Sequence, residues 1–166
     1  CAFRRDEGDE DAYVLEIEEI LSKIRELEAI GGTQILMQGG MHPGLPLDWY
    51  ENLLCTIRQE HPNLHVHAFS PPEMVEFVHF FDPPGVDFEA KVRWVLTKLE
   101  GWGLHSVPGG GGEIFADAVR TKIGLGKCDA ESWLTVMRVA HELGMNTSAT
   151  MMFGHIEGIA DRVHHM

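Results

Sequence analysis

The feature that most constrains this chain is an alternation. Short apolar runs at residues 33–37, in LHVHAF, in HSVPGGGG and in TSATMMFG are separated by amphipathic stretches of helix length. Across residues 15–30, Ile17, Ile20, Leu21, Ile24, Leu27 and Ile30 recur at helical spacing with Glu and Lys between them, and Gly31-Gly32 closes the run. A second helix is predicted from Pro46 through Ile57, with Trp49, Leu53 and Leu54 on its apolar face and Pro46 where a fixed φ suits a first turn. SPPE starts a third, with prolines where a missing N–H costs little. FEAKVRWVLTKLEGWG and CDAESWLTVMRVAHELG read as further helices. Strands alternating with helices of this length imply right-handed βαβ crossovers and a parallel sheet, so the predicted class is α/β.

Each predicted strand carries its unusual residues at its C-terminal end: MQGGMHPG, HAFSPPE, VPGGGGE and FGHIEG. In parallel barrels and open sheets alike, ligands bind at that edge. Four strands are visible in 166 residues, whereas a closed eight-stranded barrel takes about 250. The sequence starts without methionine and stops at ADRVHHM in a helical pattern without a cap. The expected architecture is therefore a partial (β/α) TIM-type barrel, one domain over residues 1–166, lacking the first strand and roughly the last three. FDPPGVD reads as a turn-rich connection within it.

Composition narrows the partners. A formal charge of −13, concentrated in DEGDED and EIEEI, repels phosphodiester backbones and anionic lipid, so nucleic acid and membrane surfaces are poor partners. No run of about 18 apolar residues occurs and nothing resembles a signal peptide, so a cytoplasmic location is expected. The cysteines, Cys1, Cys55 and Cys128, are odd in number and widely spaced, unlike a disulfide framework. Cys55 falls on the apolar face of a helix and Cys128 just before the next one, so both read as structural.

The blocks GGTQILMQGG with HP, WYENLL, HAFSPPE, PGGGGEI and ATMMFGHIE, in that order, resemble the radical S-adenosylmethionine (SAM) enzymes of the menaquinone (futalosine) pathway, most closely their cyclic dehypoxanthine futalosine synthase branch. The cluster motif of that family is C-x-x-x-C-x-F-C followed by AF and YR, and CAFRR is similar to its end. The resemblance implies that Cys1 is the third ligand of a 4Fe-4S cluster whose open iron binds SAM. It further implies a cyclase that takes a hydrogen atom from the ribose of dehypoxanthine futalosine and closes the resulting radical onto the aromatic ring. The electron would come from an external donor such as flavodoxin or ferredoxin. Such a cofactor carries the chemistry while the barrel positions it. The 166-residue piece on its own is expected to be inactive.

Site residues follow from the strand ends and the resemblance together. Gln38, Gly39 and Gly40 stand where related barrels carry a GGE-like motif that lets backbone reach the methionine end of SAM; MQGGMHP lacks the Glu. Gly109, Gly110 and Gly111 expose backbone N–H groups before a helix, with Glu113 as a polar contact to the cofactor. Arg120 is placed either on the cofactor carboxylate or on the solvated surface. His67, Ser70 and Glu73 are expected to line the pocket, with His67 and Glu73 as the catalytic candidates and Ser70 also near the cofactor, while His65 packs or meets solvent. His155 and Glu157 are candidate substrate contacts, and Met151, Met152 and Phe153 read as core or pocket wall. Arg4, His105 and Gly112 depart from the family pattern, which has Tyr, Asp and Ala there.

Rival readings stay open. Aminofutalosine synthase and the deazaflavin-forming FO synthase component share the same radical start. A zinc-dependent barrel hydrolase would use His65 and His67, which alternate onto one strand face, with His105 and His155 as later ligands. A non-catalytic fragment with exposed sheet edges is the third possibility.

Overall fold

The structure is a computed structural model that describes residues 5, 8–39, 41–124 and 126–166. Cys1, Arg4 and Gly40 lie outside the described residues.

Helix α1 (Ile17–Ala29) turns Leu21 and Ile24 inward, and a capping box between Glu16 and Glu19 closes its start. It ends where Gly31 takes φ +85°, a conformation that glycine adopts without steric cost. Strand β1 (Gln34–Met37) follows, then α2 (Leu47–Glu60), whose Tyr50, Leu53, Leu54 and Ile57 are buried. Strand β2 (His65–Ala68) leads into α3 (Pro71–Phe81) and α4 (Phe88–Trp102), the latter capped by the Asp87 carboxylate accepting from the Ala90 N–H. Strand β3 (Ser106–Val107), α5 (Asp117–Ile123), α6 (Ala130–Glu142), β4 (Asn146–Thr147) and α7 (Ile159–His165) complete the order.

The strands form one parallel sheet in chain order, β1-β2-β3-β4. A doubly wound sheet reverses its strand order at a switch point. Here the order never reverses, as in a segment of a β/α barrel. The two faces differ accordingly. Val66, Ala68 and Val107 are buried in one hydrophobic cluster with residues of α1, α2, α3, α4 and α6. His65 and His67 point the other way, and Leu36, paired with His67, stays 65% exposed on that face. Helices cover one side, and among the described residues the barrel-interior side is open. Among the described residues, no helix is long and apolar enough to cross a membrane.

The sequence predicts longer third and fourth strands than the two-residue β3 and β4. Pro108 cannot donate to a ladder. Beyond it the Gly109 N–H and carbonyl bond to the Ser148 and Thr150 hydroxyls instead of to a strand, and the segment 148–158 runs as a loop.

Candidate active site at the trailing edge of the sheet

Three neighbouring strand ends meet at this edge. After β2, Phe69 adopts φ +58°, unusual for a bulky side chain, and is held there by burial against Tyr50 and Phe77. That turn lets Ser70 cap α3. Glu73, buried, then links two elements: its carboxylate accepts from the Ser70 N–H at 2.8 Å, the Ser70 hydroxyl at 2.7 Å and the Gly39 N–H at 3.1 Å. Burial and the Glu73 charge push the Tyr50 hydroxyl up to about 12. Glu73 thus fixes the end of β1 against the start of α3.

The glycine loop after β3 sits beside this junction. A Cβ added to Gly110 would lie 2.6 Å from Gln38 Nε2 and 3.2 Å from Ser70 Cβ, so Gln38, Ser70 and Gly110 are in close approach. Around Gly39 no atom of the described residues would meet an added Cβ within 4 Å. The result is a ledge open at β1 and closed at β3.

The loop is held from behind. Its carbonyls are all engaged: Gly109 accepts from the Thr150 hydroxyl at 2.6 Å, Gly110 from Trp133 Nε1 at 3.1 Å, and Gly111 and Gly112 from the Arg120 guanidinium at 2.9 and 2.7 Å. Arg120 also donates to the Cys128 carbonyl and is buried, not solvated. The guanidinium thus ties three carbonyls together and also lies against the Cys128 thiol. A peptide N–H points opposite to the preceding C=O, so the N–H groups of Gly110, Gly111 and Glu113 face away from Thr150, Trp133 and Arg120. Glu113, at φ +49°, pairs with Lys127. Burial raises the Cys128 thiol to about 11, so it stays protonated at neutral pH.

On the open face of the sheet, Ser106 of β3 lies opposite His67. Its hydroxyl is 2.7 Å from His67 Nδ1 and 2.7 Å from His65 Nε2. His67 Nε2 is 3.4 Å from Ser148 Oγ, which accepts from the Gly109 N–H at 3.0 Å. Partial burial, the neighbouring His65 and the Ser106 contact act on His67, and the net result is a lowered pKa. His105 accepts from the Val66 N–H at Nδ1 and is lowered by burial and by His65. Among the described residues, no group of three His, Cys, Asp or Glu side chains is placed to hold a metal ion.

His155 and Glu157 bond within the loop before α7 and to α7 itself. The Glu157 carboxylate accepts from the Gly154 N–H at 2.6 Å, the His155 N–H at 2.9 Å and Arg162 Nε at 2.8 Å, and these bonds, that from Gly154 foremost, hold it down to about 2. His155 turns Nδ1 to the Ile156 N–H and Nε2 to the Met152 carbonyl. Met151 is half-buried, and Met152 and Phe153 are exposed.

Sequence reasoning missed Ser106, Ser148, Thr150 and Trp133. The parity of parallel pairing was the available signal for Ser106, since a residue opposite His67 shares its face. Reading residues 147–154 as a strand hid Ser148 and Thr150 as loop contacts.

The profile of the radical SAM superfamily matches residues 1–166. The chain belongs to the radical SAM superfamily. Curated relatives of this superfamily member align over all of it. It is 41% identical to the 5-amino-6-(D-ribitylamino)uracil–L-tyrosine 4-hydroxyphenyl transferase of Microcystis aeruginosa, covering 43% of that protein. It is 39% identical to the cyclic dehypoxanthine futalosine synthase of Halalkalibacterium halodurans and 39% identical to the aminodeoxyfutalosine synthase of Thermus thermophilus, again over 43% of each. The chain thus spans less than half the length of these relatives. These near-equal identities, to a transferase and to two synthases, do not single out one of their activities.

In the radical SAM superfamily generally, SAM and a 4Fe-4S cluster are the resident cofactors. The ledge fits the first: free space beside the Gly39 Cα, an amide at Gln38 and a glycine at 110 that no larger residue could replace without displacing Gln38. For the cluster, the described cysteines do not serve, because Cys55 lies within α2 and the Cys128 carbonyl faces Arg120 behind the loop.

Proposed function

We propose that the whole protein is a radical SAM cyclase that converts dehypoxanthine futalosine to its cyclic product, with the site at the trailing edge of the sheet. The convergence of Gln38, Gly39, Ser70 and Gly110 at three adjacent strand ends carries this reading. Bound together, cluster and SAM supply the one-electron chemistry that removes a hydrogen atom from substrate.

The chain's own residues bind and orient. Gln38, Gly39 and Gly40 receive the amino-acid end of SAM, and Glu73 sets the height of Gly39 by holding its N–H. Gly110 and Gly111 present N–H groups to a polar ligand group, Gly109 holds the loop through Ser148, and Glu113 meets the cofactor. Arg120 acts through the loop it braces. His67 faces the substrate from the open side of the sheet, and the 154–157 loop, with His155 and Glu157, borders the substrate. Cys1 contributes one thiolate to the cluster, and a flavodoxin or ferredoxin delivers the electron.

GGTQILMQGG and SPPE support the cyclase over its sister activities. The 41% identity to the tyrosine transferase favours a second reading, transfer of a 4-hydroxyphenyl group to a ribitylaminouracil. Both readings share the cofactor site and differ in substrate. Reconstitution of the complete protein with iron and sulfide under anaerobic conditions tests them. SAM is supplied with dehypoxanthine futalosine in one reaction, and with ribitylaminouracil plus tyrosine in the other. The cyclic product in the first confirms the cyclase. Product in the second only assigns the transferase, and no SAM cleavage in either removes both.

A further inference from the structure

Ser106 has one hydroxyl hydrogen and two imidazole neighbours at 2.7 Å. It can donate to only one ring, so the other ring must donate to it. The tautomers of His65 and His67 are therefore linked: if His67 carries its hydrogen on Nδ1, His65 must accept at Nε2, and the reverse holds with the directions exchanged. Ser106 is buried, so water does not compete for these bonds. The ends of the chain differ in place. His67 Nε2 faces Ser148 Oγ, which is itself tied to the glycine loop at the Gly109 N–H. His65 is set two residues back along β2, with the His105 ring centroid 5.0 Å from its own.

We propose that Ser106 is a positioning residue for a proton relay in which His67 accepts a proton from bound substrate and His65 receives the charge. The accounting is closed. A substrate O–H or N–H proton bonds to His67 Nε2; the Nδ1 hydrogen passes to Ser106 Oγ; the Ser106 hydrogen passes to His65 Nε2. His67 ends neutral, Ser106 ends as a hydroxyl, His65 ends as the cation, and the substrate keeps the electron pair. Among the described residues, the titratable groups around the relay are the three rings themselves, on β2 and just before β3; their side-chain contacts are serine hydroxyls and one another. The lowered proton affinity of His67 agrees with a group that passes its charge on.

This inference rests on the proposed active site for its substrate, but its first test does not. In the complete protein labelled with ¹⁵N-histidine, two-bond correlation spectra report tautomer and titration of each ring. His65 and His67 are expected to hold complementary tautomers and to titrate in two coupled steps. Ser106→Ala should uncouple them and Ser106→Thr restore the coupling. His65→Gln, which keeps a hydrogen-bonding side chain but cannot take the charge, guards against misfolding of the alanine variant. Independent titration in the unsubstituted protein overturns the relay, whatever the activity. In the reconstituted enzyme, Ser106→Ala and His65→Gln should lower kcat about tenfold and move the acidic limb of its pH profile, with KM little changed and Ser106→Thr close to the parent. An unmoved profile in both variants overturns the relay while SAM cleavage leaves the cofactor reading intact. Coupled titration without any SAM cleavage keeps the relay and removes that reading.

Discussion

Arg120 places a positive charge, almost fully buried, behind four consecutive glycines and spends its donors on carbonyls. Replacing it by methionine relieves the desolvation of a charge but strands the Gly111, Gly112 and Cys128 carbonyls. Unpaired buried acceptors cost about 1–3 kcal/mol each, so a net loss of roughly 3 kcal/mol is expected in urea unfolding of Arg120→Met. A loss below about 1 kcal/mol would mean that the loop rearranges freely. Glu157 makes a second prediction. Its folded-state pKa of about 2 lies below the ordinary value of 4.5, so its support of the 154–157 loop is complete above about pH 4.5 and fades as pH falls towards 2. Amide shifts of Gly154 and His155, followed from pH 6 to 1.5, should show a midpoint near 2; a midpoint near 4.5 contradicts the bonding described.

At the scale of elements, the glycines of the strand ends are not equivalent. A Cβ on Gly109 would lie 2.4 Å from the Ser148 carbonyl oxygen, which is backbone and cannot swing aside, whereas Gly39 has open space. Gly109→Ala should lower the melting temperature by several degrees, and Gly39→Ala should leave it within about 2 °C while weakening SAM binding, as read by calorimetry on the complete protein. The order of the main elements was legible because apolar spacing in α1, α2, α4 and α6 reports burial directly. The ends of β3 and β4 were not, because TSATMMFG alternates weakly and its polar groups are used by the neighbouring loop. The trailing edge was legible from its glycines. What each polar side chain touches there was not: Arg120, at a loop-to-helix junction, gives no sequence sign that its partners are carbonyls, and Ser106 acquires its neighbours only through strand pairing.

At the scale of the whole molecule, a single helix layer leaves one face of the sheet uncovered by the described residues, and α7 carries exposed apolar side chains of its own. Leu36, Phe153, Ile156, Ile159 and Val163 are all more than half exposed. Apolar patches of this kind drive association. The 166-residue chain by itself should therefore elute in size exclusion as concentration-dependent oligomers at micromolar levels, and Ile159→Lys with Val163→Lys should shift it towards monomer. A monodisperse monomer at about 100 μM would show that this face is better hidden than described.

The Glu73 carboxylate answers to two strand ends at once, through Gly39 and through Ser70. Neither end can drift alone without breaking the other's hydrogen bond. Because Gly39 bonds through its backbone N–H, a combinatorial library randomised at position 39 alone would keep the two ends joined, and altered acceptance of cofactor analogues should emerge only where position 73 is diversified in the same pool.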